Sequence, residues 1–247
     1  MSQSYQDQQT ALAYDAFTNS ENGKLQQEII FGALQKYLPQ GSEASMLDAG
    51  CGSGWLAGKL KNRFPKTSGF DFSEPLVSLA KTRYPGIEFS VQDLNKKLAL
   101  EGESFDCVIT NMVLHDVADL GNAFSEIARI LKPGGNCIAT IANPYYAYPV
   151  GVWKRGILGF LLRKKPQLKL RPYNNLRSQP RKFSWNNTFT AYFYPLSEYF
   201  QGALRNNLSV AGYEDLYAPS DSKTFNLSYQ LHRFPTMLTL VFKKLPK

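Results

Sequence analysis

The chain has 247 residues, 43% of them hydrophobic and 19% charged, with a formal net charge of +8. That apolar content suffices for one sizeable core, and the length favours one large domain or one domain carrying an insertion. Residues 2–22 are polar and no run reaches about 18 apolar residues, so a secretory leader at this end and a spanning helix are not expected, and the expected location is the cytoplasm. Cys51, Cys107 and Cys137 show no metal spacing and read as small buried residues, so no metal is expected.

Residues 1–22 read as a loosely held tail whose apolar content is Tyr14-Asp15-Ala16-Phe17. From Gly23 to Leu38 apolar residues recur at helical spacing, and Pro39-Gln40-Gly41 ends the helix. Met46-Leu47-Asp48 then reads as a strand, Ala49 to Gly54 as a tight turn and Trp55 to Phe64 as a helix. Gly50 and Gly52 allow backbone angles that a side chain forbids, and Gly54 leaves room for close packing. The N–H groups at the helix start are ready donors. Thr67 to Asp71 is the second strand and ends in a carboxylate about 20 residues after the glycine loop, where it can accept from both hydroxyls of a ribose. Alternatively Asp71 caps the helix that opens at Ser73-Glu74-Pro75 and runs to Tyr84. Ile87 to Val91 alternates as a third strand and ends at Gln92-Asp93-Leu94. Phe105 to Thr110 is a fourth strand, Asp119 to Leu131 an amphipathic helix, and Asn136 to Ala142 a fifth strand. Alternating strands and helices predict a parallel, doubly wound sheet, in which ligands lie at the carboxyl ends of the strands. Gly50, Asp71, Asp93 and Asn111 all fall at such ends.

The spacing Asp48-x-Gly50-x-Gly52-x-Gly54 resembles the first motif of the class I S-adenosylmethionine-dependent methyltransferases. Asn111-Met112-Val113-Leu114-His115-Asp116-Val117 and Leu131-Lys132-Pro133-Gly134-Gly135 resemble the segments after strand four and before strand five in their small-molecule, type 11-like members. The resemblance covers residues 46–142 and, more loosely, 194–243. It implies an α/β, Rossmann-like, doubly wound seven-stranded sheet with an antiparallel edge strand, and S-adenosylmethionine as cofactor. It implies that the Asp48, Gly50, Gly52 and Gly54 loop holds the methionine part, that Asp71 with Phe72 takes the ribose, and that Gln92, Asp93 and Leu94 take the adenine. Asn111 and Met112 close the site after strand four, and Tyr14 covers it from the N-terminal segment. Asp116 stands where the family most often has a histidine, and His115 precedes it; His115 is the candidate general base because an unperturbed imidazole titrates near neutrality, with cofactor or turn packing as its other reading. Asn143-Pro144-Tyr145-Tyr146 resembles the N-P-P-Y signature of methyltransferases acting on nucleobase amines. It follows strand five rather than strand four, so it reads as a turn that opens an insertion.

That organisation gives an N-terminal helical cover over 1–45, a cofactor-binding core over 46–143, an inserted lid over 144–194 and a C-terminal completion of the sheet over 195–247. No Asp or Glu occurs between Glu126 and Glu198, while cations such as Lys154, Arg155, Arg163, Lys164 and Lys165 interleave with aromatic and aliphatic residues. Residues 152–165 read as a basic amphipathic helix, and 183–194 alternate like a hairpin strand. The insertion could roof an acceptor pocket, meet an anionic membrane surface, or bind nucleic-acid phosphates, the last being disfavoured. As a roof it brings Tyr145, Trp153, Trp185, Tyr192 and Tyr194 to a substrate pocket shared with His115. Beyond it, a helix from Leu196 to Val210, a sixth strand over Glu214 to Ala218, a polar loop holding His232 and a last strand over Met237 to Phe242 complete the chain. The expected activity is methyl transfer to a hydroxyl or amine of a small aromatic or apolar metabolite. The alternatives are a membrane-surface methyltransferase of a quinone or lipid-like phenol, and a non-catalytic cofactor-binding protein.

Overall fold

The computed structural model describes residues 5–146, 151–154, 167–170, 178–182, 188–192, 194–217, 234–235 and 237–246. Its centre is a seven-stranded sheet of β1 (Met46–Ala49), β2 (Thr67–Asp71), β3 (Glu88–Val91), β4 (Phe105–Asn111), β5 (Leu131–Ala142), β10 (Leu208–Leu216) and β11 (Met237–Lys244). The strand order is β10-β11-β5-β4-β1-β2-β3. β1, β2, β3, β4 and β5 run parallel, β11 runs antiparallel between β5 and β10, and β10 forms the edge. This is the doubly wound sheet that the alternation predicts, with the Rossmann-like seven strands that the resemblance implies.

The helices are α1 (Gln8–Thr18), α2 (Glu21–Leu34), α3 (Trp55–Lys61), α4 (Glu74–Arg83), α5 (Leu120–Ile130) and α6 (Leu196–Arg205). One apolar cluster joins α5 and α6 to one sheet face through Phe124, Ile127, Tyr199 and Phe242. A second joins α2 and α3 to the other face through Ile30, Leu34, Leu56 and Ile109. Alternation of side chains along each strand sends neighbouring residues to opposite faces, so Val108 belongs to the first cluster and Ile109 to the second.

Three expectations are corrected. Residues 8–18 form a helix rather than a loose tail. The Asp7 carboxylate accepts the Thr10 N–H at 2.9 Å as its N-cap, and Thr10, Ala11 and Asp15 are buried beneath it. The helix after Pro195 ends at Arg205, not Val210, because Asn207 takes a left-handed φ of +59° that turns the chain into β10. Asparagine tolerates that region better than most residues, and Leu208 and Val210 then follow the period of a strand. Residues 152–154 belong to a strand, β6 (Gly151–Lys154), which pairs antiparallel with β7 (Gln167–Leu170). The helix expected over 152–165 therefore does not begin where its spacing put it, and residues 155–165 lie outside the described residues. Val152 and Trp153 favour extended backbone, and Gly156 is a poor helix former.

A second hairpin pairs β8 (Ser178–Lys182) with β9 (Thr188–Tyr192). It abuts the sheet's carboxyl end, where the Tyr192 N–H donates to the His115 carbonyl at 2.8 Å. The Asn143 carboxamide accepts the Tyr145 N–H at 3.0 Å, which makes Asn143-Pro144 a turn. Cys51, Cys107 and Cys137 are buried thiols.

Candidate active site

The site is built on the chain turning sharply after β1. Gly50 and Cys51 both donate their N–H groups to the Phe70 carbonyl, at 2.7 and 2.9 Å. Gly50 sits at φ +85°, and a Cβ there would stand 2.2 Å from a Val113 methyl. Glycine is thus required both for the turn and for the approach of the loop after β4. Gly52, at φ +52°, leaves its open side facing the Tyr14 ring. Gly54, at φ +86°, is the N-cap position of α3, and its missing side chain makes room for Phe89, Ala80 and Tyr84 rather than for a ligand.

Two carboxylates fix this loop from below. Asp48, 1% exposed, accepts the Ala57 N–H of α3 on Oδ2 at 3.1 Å. Asp71, 7% exposed, accepts the Gly52 N–H on Oδ2 and the Ser73 N–H on Oδ1, both at 2.9 Å. Burial pushes the Asp48 carboxyl up to about 7, helped by the charge of Asp71 and opposed by the Ala57 N–H. Burial also pushes Asp71 upward against its two backbone donors. Asp48 Oδ1 and Asn111 Oδ1 are buried without a hydrogen-bond partner among the described residues. Both residues line one small cavity of about 10 Å³ beside Gly50 and Gly52. Two buried acceptors at one point call for a donor, and a cationic one best of all.

A larger cavity of about 650 Å³ opens over the carboxyl ends of β1, β2, β3 and β4. Of the residues singled out in the sequence, Tyr14, Gly50, Gly52, Asp71, Phe72, Gln92, Asp93, Leu94, Asn111, Met112 and His115 line it. Asp48 borders only the small cavity, and Gly54 borders neither. Gln92 is held at both ends of its amide, donating to Ser90 Oγ at 2.9 Å and accepting the Ala99 N–H at 2.7 Å. Asp93 accepts from the Asn95 backbone and side chain, both at 2.9 Å. Asn95 in turn accepts the Ala118 and Asp119 N–H groups, which joins the loops after β3 and β4. Met112 is held at φ +58°, its N–H donating to the Thr140 carbonyl at 2.8 Å. A non-glycine residue in that region marks a turn fixed by its surroundings.

At the far wall His115 is 7% exposed, and its Nε2 lies 4.0 Å from the Asp116 carboxylate. Among the expected pocket aromatics, Tyr145 is 37% exposed and lies off the cavity wall. Tyr192 stacks on Tyr194 with ring centres 6.3 Å apart. The Tyr194 hydroxyl donates to the Val117 and Ala118 carbonyls at 3.0 and 2.7 Å, bracing the His115 loop from behind. Trp153 lies on β6, and Trp185 and His232 lie outside the described residues.

The wall that sequence reading missed comes from the N-terminal helices. Tyr5, Phe17, Asn22, Gln26, Ile30 and Trp55 all face the large cavity. Asn22, Gln26 and Ile30 are spaced i, i+4, i+8 on α2, so a helical stripe of amides leading into an apolar end was legible in principle. Gly23 lets the α1–α2 corner close, since a Cβ there would meet the Phe17 and Thr18 carbonyls at 2.4 Å.

Residues 47–139 match the family model described as a methyltransferase domain. The chain is 31% identical over 113 residues to an uncharacterized methyltransferase of Mycobacterium bovis, a match covering 45% of this chain and 57% of that protein. It is 33% identical over 103 residues to a ubiquinone/menaquinone biosynthesis C-methyltransferase of Desulfotalea psychrophila, covering 40% and 42%. The chain thus spans about half the length of the curated relatives it matches. Its fold is similar to that of an S-adenosylmethionine dependent methyltransferase from Mesorhizobium loti, with a TM-score of 0.72 at 23% identity, over 89% of this chain and 100% of that one. The glycine loop and the carboxylates at successive strand ends lie within the stretch that matches the methyltransferase domain, and the fold around them is similar to that of an S-adenosylmethionine dependent methyltransferase.

Proposed function

We propose that the chain transfers the methyl group of S-adenosylmethionine to a small acceptor seated between His115 and the α1–α2 wall. The observation that carries this is the pairing of two partnerless buried acceptors, Asp48 Oδ1 and Asn111 Oδ1, with a cavity that continues past Asp71 and Asp93 to His115. The residues fit the cofactor. Asp48 and Asn111 can accept from its ammonium, Asp71 keeps lone pairs for a ribose diol, and Asp93 with Leu94 faces an adenine. The cofactor supplies an electrophilic methyl on a positively charged sulfur. The protein supplies positioning and surroundings that exclude water. His115 would take the acceptor's proton: as the acceptor's lone pair bonds to the methyl carbon, the methyl–sulfur bond would break with its electron pair left on sulfur, and the acceptor's O–H or N–H proton would pass to the imidazole.

A ring carbon is the second acceptor reading, supported by the C-methyltransferase among the relatives. A phenol or quinol ring serves both readings, because deprotonating its hydroxyl activates the oxygen and the adjacent carbons. A non-catalytic cofactor-binding role predicts cofactor binding with no transfer at all. The membrane-surface variant predicts that the protein sediments with anionic vesicles.

Incubation with methyl-tritiated S-adenosylmethionine and a panel of phenols, quinols and aromatic amines tests the proposal. The expected result is labelled product from at least one acceptor. His115→Gln should lower kcat about 100-fold while leaving cofactor affinity intact. Tight cofactor binding with no labelled product from any class would contradict it.

A further inference from the structure

We propose that Asp15 and Arg83 form a latch that seats α1, and with it Tyr14, over the glycine loop, and so sets how fast the cofactor enters and leaves. The proposal deepens the cofactor reading above and rests on it. Arg83 closes the last turn of α4, and its Nη1 and Nη2 each lie 2.7 Å from one oxygen of Asp15 on α1. This is the fork-to-fork geometry that fixes direction as well as distance. Asp15 is 9% exposed although it belongs to a surface helix. The same carboxylate accepts from the Asn19 amide at the end of α1 at 3.2 Å, and the Arg83 guanidinium, helped by Ser53 of the glycine loop, holds it below the usual carboxylate range. One side chain therefore joins α1 to α4, beside the loop expected to hold the cofactor.

The rest of α1 offers few apolar anchors, its buried residues being Thr10, Ala11 and Asp15. The segment just before α1 adds neutral contacts. The Ser73 hydroxyl donates to the Tyr5 carbonyl, and the Tyr5 ring meets Tyr14 and Phe72 edge-on at 5.2 and 6.1 Å. These contacts close over the Asp71-Phe72-Ser73 turn, on the same cavity that Tyr14 lines. A ligand between Tyr14 and that turn cannot leave past α1 unless the helix swings, and the swing must break the ion pair. Arg83 is 38% exposed at its side chain, so salt reaches the pair.

Stopped-flow release of S-adenosylhomocysteine from the full chain, read by the fluorescence of Trp55 in the cavity wall, tests the latch. Arg83→Met and Asp15→Asn should release the ligand about 10-fold faster than wild type. Arg83→Lys should fall between, because it keeps the charge and loses the fork. Raising salt from about 0.05 to about 0.5 M should accelerate release from the wild type and not from Arg83→Met. Lys36→Met, which breaks a surface pair with Glu214, should change neither rate nor salt response. Wild-type release rates in Arg83→Met and Asp15→Asn, or an unaltered salt response, would overturn the latch alone. If Arg83→Met fails to fold, Arg83→Lys carries the test, and a wild-type rate there overturns it equally. A wild type that binds no S-adenosylhomocysteine would overturn the cofactor reading and the latch with it.

Discussion

Asp48 is the residue whose chemistry sets the pH behaviour of the site. Its carboxyl titrates at about 7 in the folded protein, against an ordinary value of 3.8. Ligand-free stability should therefore fall as pH rises from 4 to 7, because the unfolded chain ionises first and burying the ionised carboxylate costs free energy. Cofactor affinity should run the other way. An ammonium needs the ionised form, so affinity rises by up to about tenfold per pH unit below 7 and levels off above it. Titrating S-adenosylhomocysteine at several pH values checks this, and Asp48→Asn should flatten the curve. Gly50 makes a separate prediction. Gly50→Ala combines a left-handed backbone with a Cβ 2.2 Å from Val113, so urea unfolding should show a loss of about 3 kcal/mol. The glycine spacing was legible because a backbone turn with positive φ demands glycine at fixed positions, and the carboxylates were legible as the ends of strands. The left-handed Met112 was not, because nothing in a methionine announces a positive φ.

At the scale of elements, the periodicity located β1 to β5 and α2 to α5 because each buries one face or stripe. It failed where two periods overlap. Leu204, Leu208 and Val210 suit a helix continued from α6, and only Asn207 marks the break. It failed again on α1, whose short buried stripe of Thr10, Ala11 and Asp15 carries little apolar signal. α5 illustrates how a helix also positions loops. Glu126 accepts the Leu98 N–H at 2.7 Å and both Arg129 nitrogens, while Arg129 donates to the Leu98 and Leu100 carbonyls. This pair holds the middle of the loop that connects the third strand to the fourth, whose start is held through Asn95 and Asn122. Glu126→Ala strands the Leu98 N–H and the guanidinium together, and should cost about 2 kcal/mol by urea denaturation. Hydrogen exchange should rise first over residues 95–104.

For the whole molecule, the sheet separates stability from chemistry. Phe124, Tyr199 and Phe242 lie in a cluster on one face, while the cavity opens at the strand ends. Phe124→Ala should destabilise the fold by about 3–5 kcal/mol and leave cofactor affinity of the folded fraction nearly unchanged. The chain carries a net charge of +8, yet its cavity wall presents Asp71, Asp93 and Asp116, an arrangement that favours a ligand carrying an ammonium and a sulfonium. The strand over 188–192 was legible from the alternation of residues 183–194, but the pairing of 151–154 with 167–170 was not. Long-range register between β6 and β7 leaves no local mark.

The measurement that tests the central claim most directly is calorimetric titration of the purified protein with S-adenosylhomocysteine, repeated with Asp71→Asn and Asp71→Ala. The account predicts one site on the wild type and, in variants that keep their melting temperature, affinity lower by about 10-fold or more, the scale of a lost hydrogen bond to a charged group. No binding to the wild type, or equal binding to folded Asp71 variants, would contradict it.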